Sequence, residues 1–266
     1  MRPTTRHIVG ILLMLIAMTD DRSPLNSESD QRATFRTTRW SVVFAAQGKS
    51  SDADVAQSLE TLCKQYWPPL YAYVRHRGHA LHDAQDLTQA FFARLLEKDW
   101  LVAADRERGR FRTFLLMALK RFLANEWDRS QTQKRGGGAK IINMDAAESI
   151  SIPDPKTTTA ESLFERRWAF TLLESVMARL REEYDAAGRI TQYEQLKHCL
   201  TAVRGGIDYD ALGATLGMQA VSARSAVHRL RKRFRELFRD EVAGTVADPT
   251  DVEDEMRAVI AALGSA

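Results

Sequence analysis

At 266 residues the chain is long enough for two small domains, and an apolar share of 44% excludes a wholly disordered polymer. A net charge of only +3 excludes a uniformly cationic coat, so any attraction for nucleic acid must come from how the charge is distributed. Basic residues gather at 106–140 and 224–239 while 145–165 and 240–256 lean acidic, a pattern expected of two nucleic-acid-facing surfaces.

In chain order, Ile8–Met18 is an apolar run behind Arg2 and Arg6, similar to the front of a signal peptide. It is shorter than the ~20 residues of a membrane span, and Thr19 with two aspartates spoils a cleavage site. A true translation start at Met14 or Met18 is the favoured reading, with a membrane-proximal or secretory segment as the alternative. Residues 1–39 read as an N-terminal arm. From Trp40 the pattern turns helical: Leu59, Leu62, Cys63 and Tyr66 share a face, Pro68-Pro69 is expected to interrupt the helix, and Gly78 to end its continuation. Asp83–Lys98 is the next predicted helix, with Asp83 as its cap and Leu87, Ala90, Phe91, Arg94 and Leu95 on its apolar face.

The helix from Arg110 is expected to bury Phe111, Phe114, Leu115, Ala118, Leu119 and Phe122. Its other surface carries Arg112, Lys120, Arg121, Asn125, Trp127 and Arg129. Interleaved cations and rings suit a single nucleic-acid strand, since cations track phosphate while exposed rings accept unstacked bases. Glycines at 136–138 end this unit, and a polar, Pro-containing stretch reads as a linker. Beyond it, predicted helices cover Ala160–Tyr184, with Leu163, Phe164, Trp168, Leu172, Leu173, Val176 and Leu180 on its buried side, and Ile190–Val203; Pro249 is expected to open a last one bearing Val252, Met256, Val259, Ile260 and Leu263. The chain reads as all-α: a first domain at 40–138, linker 139–159, a second domain at 160–240, and a C-terminal extension at 241–266.

The most informative stretch is Tyr209–Arg239. Leu212 and Leu216 sit one turn apart, Gly217 supplies a helix stop, and a basic helix follows a short turn. Its apolar side is expected at Val221, Ala223, Val227, Leu230, Phe234 and Leu237, opposite a set of arginines. A helix pair joined by a Gly turn, with a basic second helix, has the shape of a DNA-binding helix-turn-helix.

Other chemistry finds little footing. Cys63 and Cys199 lie far apart in no ligand spacing, which excludes a disulfide framework and fits a reducing, cytoplasmic setting. His76, His79 and His82 flank Gly78 and lack zinc-binding spacing. No phosphate-cradling loop or nucleophile signature is present. The expectation is of a non-enzyme with no cofactor and no metal.

Three motifs together resemble the bacterial RNA polymerase sigma factors of the extracytoplasmic-function (group IV) type. Asp83-Ala84-Gln85-Asp86-Leu87-Thr88-Gln89-Ala90-Phe91 is similar to the family's polymerase-binding helix. Phe111-Arg112-Thr113-Phe114-Leu115 and the helix after it resemble the segment that opens and reads the minus-ten element. Leu216-Gly217-Met218 through Arg233 resembles the helix that reads the minus-thirty-five element.

The resemblance implies two helical domains joined by a flexible linker, with core RNA polymerase and promoter DNA as partners. Asp83, Asp86, Leu87, Gln89 and Phe92 would dock on core polymerase. Phe111, Arg112, Lys120, Arg121, Asn125, Trp127 and Arg129 would hold the opened strand. Ser222, Arg224, Ser225 and His228 would face base edges, with Arg229, Arg231 and Lys232 on phosphates. Two departures stand out: Gln219 replaces the usual serine cap, where a distorted helix start is expected, and Asn125 replaces an aspartate. The sequence leaves open whether an anti-sigma protein or the chain's own last helix restrains it. It also leaves open a helix-turn-helix regulator that does not join polymerase, and a nucleic-acid enzyme built on the His76–Asp86 cluster.

Overall fold

The computed structural model describes residues 52–96, 110–133, 159–202 and 205–264. Among them are eight α-helices, two short 3-10 turns and no strand. The N-terminal arm, most of the linker and the glycines at 136–138 lie outside the described residues.

Helix α1 (Asp52–His76) stays helical across Pro68 and Pro69, where the sequence predicts a break. A proline inside a helix costs about 3 kcal/mol in lost hydrogen bonding and ring clash. Here the five residues that follow, Leu70 to Val74, are all buried, and a fully buried large apolar side chain returns about 1.5–3 kcal/mol. Trp67 and Tyr71 also stack across the prolines, with ring centroids 4.8 Å apart. Packing therefore outweighs propensity. Gly78, at φ 95°, ends the segment as expected.

Helix α2 (Leu81–Leu96) begins earlier than Asp83, which lies inside its first turn and acts on the helix dipole there. Its core face is Ala84, Thr88, Phe91, Phe92 and Leu95, while Ala90 and Arg94 are exposed. That rotates the apolar stripe from the one expected, and the Thr88 hydroxyl is accommodated by donating to the Ala84 carbonyl at 2.7 Å. Helix α3 (Phe111–Gln133) buries Phe111, Leu115, Ala118, Leu119 and Phe122 as predicted, whereas Phe114, also expected in the core, is half-buried. Helix α4 (Ala160–Ala186) buries its whole predicted stripe from Leu163 to Leu180. The next predicted helix is shorter: α5 (Ile190–Leu196) gives way to a 3-10 turn at Lys197–Leu200. Helices α6 (Tyr209–Leu216), α7 (Ala220–Ala243) and α8 (Val252–Gly264) complete the chain, with Pro249 opening a 3-10 turn just ahead of α8.

Contacts divide the described residues into two compact units, the boundary falling inside α4 between Thr171 and Leu172. One unit gathers α1–α3, the first part of α4 and residues 243–252. Edge-on ring pairs tie its core together, Tyr66 with Phe111 at 5.4 Å and Phe91 with Phe122 at 5.8 Å. The Phe111 amide donates to the Thr245 carbonyl at 3.4 Å, which fastens residues 243–252 to the start of α3. The other unit holds the rest of α4, α5 to α7, and residues from Glu253 onward. There Arg233 forks onto both carboxylate oxygens of Glu183 at 2.7 Å, and Arg179 pairs with Glu241 at 2.8 Å.

Candidate nucleic-acid interface

Helix α6 and the turn that joins it to α7 are built from three local devices. Asp208 caps α6, its Oδ1 accepting from the amides of Asp210 and Ala211 at 3.0 Å each. Gly217 ends α6 in the left-handed region, at φ 65° and ψ 33°. Gly213 lets the turn close: the Met218 amide donates to its carbonyl at 2.9 Å, and a Cβ on Gly213 would lie 2.7 Å from the Met218 carbonyl oxygen. Gly217 was legible from its place after an apolar pair. The sequence signal for Gly213 is a glycine inside a helical pattern, itself a sign of close approach.

Helix α7 then starts cleanly. The Gln219 carbonyl accepts from the Ala223 amide at 3.0 Å, a regular first helical bond, so the expected distortion at Gln219 does not occur. Its buried face is Ala223, Ala226, Val227, Leu230, Phe234 and Leu237. The outward face begins at Val221 and runs through Arg224, Ser225, His228, Arg229 and Lys232, all exposed, at spacings of three, four, seven, eight and eleven residues from Val221. Ser222 is exposed beside them. Val221 was expected on the core side and is instead 75% exposed. It shares its turn with Arg224 and Ser225, whereas the core side begins at Ala223.

Several of these side chains are pre-positioned. The Arg224 guanidinium lies over the Tyr209 ring at 4.9 Å, which links α7 to α6. The Ser225 hydroxyl donates to the Val221 carbonyl at 3.1 Å, leaving its oxygen lone pairs outward. Arg231 departs from its expected role on phosphate. Its Nε and Nη2 donate to the Cys199 carbonyl at 3.1 and 2.7 Å, and Nη2 also reaches Ala202 at 2.9 Å. It closes the carbonyl end of the 3-10 turn, where a cation is favoured. No family model, curated protein or solved structure matches this chain.

The first unit holds the other two expected surfaces in altered form. On α3, Lys120, Arg121, Asn125 and Trp127 are exposed, Trp127 at 63%. The Arg129 side chain lies outside the described residues. Phe111 is fully buried, and Arg112, expected to meet an opened strand, is 3% exposed. The Arg112 guanidinium pairs with Glu165 at 2.5 Å and lies 4.3 Å above the Trp168 ring, both on α4. Burial lowers its pKa while Glu165 opposes that shift and keeps the cation favourable. Phe111 and Arg112 are thus core residues of this unit. Lys120 also reaches α4, pairing with Glu161 at 2.7 Å. That bond raises the lysine pKa and lowers the glutamate's.

On α2, Asp83 and Gln89 are exposed, and Asp86 and Leu87 half-buried. Phe92, expected at the polymerase-facing surface, is buried because the core stripe is rotated onto it. Among the described residues no cluster of three or more His, Cys, Asp or Glu could hold a metal ion. Burial pushes both the Cys63 and Cys199 thiols up, away from the reactive thiolate. Among the described residues no helix is long and apolar enough to cross a membrane.

Proposed function

We propose that the chain is an alternative sigma factor that joins core RNA polymerase and directs it to promoters. The observation that carries this reading is the α6–α7 pair: a glycine-closed turn presenting a helix whose exposed stripe is cationic from Arg224 to Lys232. Such a helix suits a major groove, where Ser222, Arg224, Ser225 and His228 would meet base edges and Arg229 and Lys232 phosphates. One bidentate arginine–guanine contact would contribute about 1–3 kcal/mol of discrimination. In the first unit, Lys120, Arg121, Asn125, Trp127 and Arg129 would hold an opened strand, and Asp83, Asp86, Leu87 and Gln89 would dock on polymerase. The protein acts by binding alone, in the cytoplasm, with no cofactor.

The test is run-off transcription with purified core polymerase and a selected promoter. Transcription should start only when the chain is added, and Asp86→Arg should abolish both transcription and co-purification with polymerase. Duplex binding without polymerase binding would overturn the proposal in favour of a DNA-binding regulator.

A further inference from the structure

We propose that Val221 reads DNA sequence, packing its methyl groups against the C5-methyl of a thymine in the major groove. This rests on the reading of α7 as a groove-entering helix and adds a residue that its charge pattern does not reveal. Val221 is the second residue of α7 and heads its outward stripe. In helix-turn-helix docking, the N-terminal residues of the second helix are those that approach base edges.

A single exposed apolar side chain is ordinary on a protein surface. Val221 is distinguished by its setting and its shape. Its stripe neighbours are Arg224, Ser225, His228, Arg229 and Lys232, so the apolar group sits at the tip of a cationic surface whose natural complement is a polyanion. Valine is a poorer helix former than alanine, so an exposed valine in this turn is not there to stabilise the helix. Its one stiff χ1 torsion holds the methyl groups in a fixed position, which contact readout needs.

Groove chemistry selects the target. The major-groove edge of a base pair presents hydrogen-bond donors, acceptors and one prominent apolar group, the thymine methyl. Val221 can make no hydrogen bond through its side chain, so thymine is the base it can favour. One turn along, Ser225 has committed its proton to the Val221 carbonyl. It therefore offers an acceptor, suited to an exocyclic amine of adenine or cytosine beside that thymine.

The test uses the full chain and a duplex selected from a random pool for tightest binding. Each thymine is replaced in turn by deoxyuridine, which removes only the methyl group. One replacement should weaken wild-type binding by about fourfold, the worth of one buried methyl. Val221→Ala should lose the same factor on the thymine duplex and become indifferent to that replacement. Thermal melting of Val221→Ala should be no lower than wild type, since the side chain is exposed and alanine is the better helix former. If no deoxyuridine duplex discriminates, or if Val221→Ala keeps the discrimination, the assignment is wrong while DNA binding stands. If no duplex is selected at all, the DNA-reading role of α7 falls with it.

Discussion

Gly213 and Gly217 lie one turn apart and do different physical work, which makes their substitutions separable. A Cβ on Gly213 would press on the Met218 carbonyl at 2.7 Å and the Ala220 amide at 3.2 Å, both backbone atoms of the turn. Alanine would gain up to ~1 kcal/mol of helix propensity, but displacing a packed backbone costs about 1–3 kcal/mol and tilts α7. Gly217 has open space around it, so Gly217→Ala meets only the left-handed backbone, worth about 1–2 kcal/mol. Gly217→Asn should recover much of that, because asparagine tolerates this region, whereas Gly213→Asn should be worse than Gly213→Ala. Urea denaturation of the four variants, read as midpoints at constant slope, checks the ordering. Duplex affinity should fall further for Gly213→Ala than its stability loss explains. At this scale the sequence was legible where a residue's role is local, as at Gly217. It misled at Val221, because a β-branched residue within two positions of Ala223 fits either side of the stripe until packing fixes the rotation.

The same limit explains why the sequence marks helices α3 and α4 but not that Arg112 turns to the buried side of α3. Periodicity located the stripes from Phe111 to Phe122 and from Leu163 to Leu180. It could not show that Arg112 meets Glu165 and Trp168, fifty-odd residues away, because nothing local marks an arginine as buried. Arg112 joins a carboxylate hydrogen bond to an aromatic stack, so its planar guanidinium matters as much as its charge. Arg112→Ala should destabilise the first unit by about 3 kcal/mol, the low end for breaking a buried pair, since Glu165 retains partial access to water. Arg112→Lys keeps the charge but loses the Nε donor to Glu165 and the flat stack on Trp168, and should still cost about 1 kcal/mol. Denaturation of these variants, alongside single-strand affinity of the folded fraction, is the measurement. An affinity loss in folded Arg112→Lys larger than that of Lys120→Ala would return Arg112 to a DNA-facing role.

A net charge of +3 gives little long-range field, so the proposed DNA binding would have to be driven by a few local cations. Composition made that much legible, and hydrophobic periodicity made the all-helical fold legible. How many arginines remain available for phosphate was not, because that depends on partners folded in from other elements. Arg231 is committed to the carbonyls of Cys199 and Ala202, Arg233 to Glu183 and Glu236, and Arg239 to Glu253. Arg224, Arg229 and Lys232 carry the exposed charge of the α7 stripe. Each phosphate neutralised contributes about 0.9 to the log–log salt slope, so two phosphate contacts, from Arg229 and Lys232, should give an upstream-element duplex a slope of about −2. Lys232→Ala should reduce that slope by about one and weaken every duplex alike, whereas Arg224→Ala should also relax the choice among sequences. Arg233→Ala should leave the slope unchanged, because its bidentate pairing with Glu183 would have to break before it could reach DNA. Titrations over a range of salt concentrations decide the matter. A wild-type slope about twice as steep would mean that the committed arginines do exchange their carboxylates and carbonyls for phosphate. The internal ion pairs of α7 would then be part of the binding equilibrium instead of fixed supports for it.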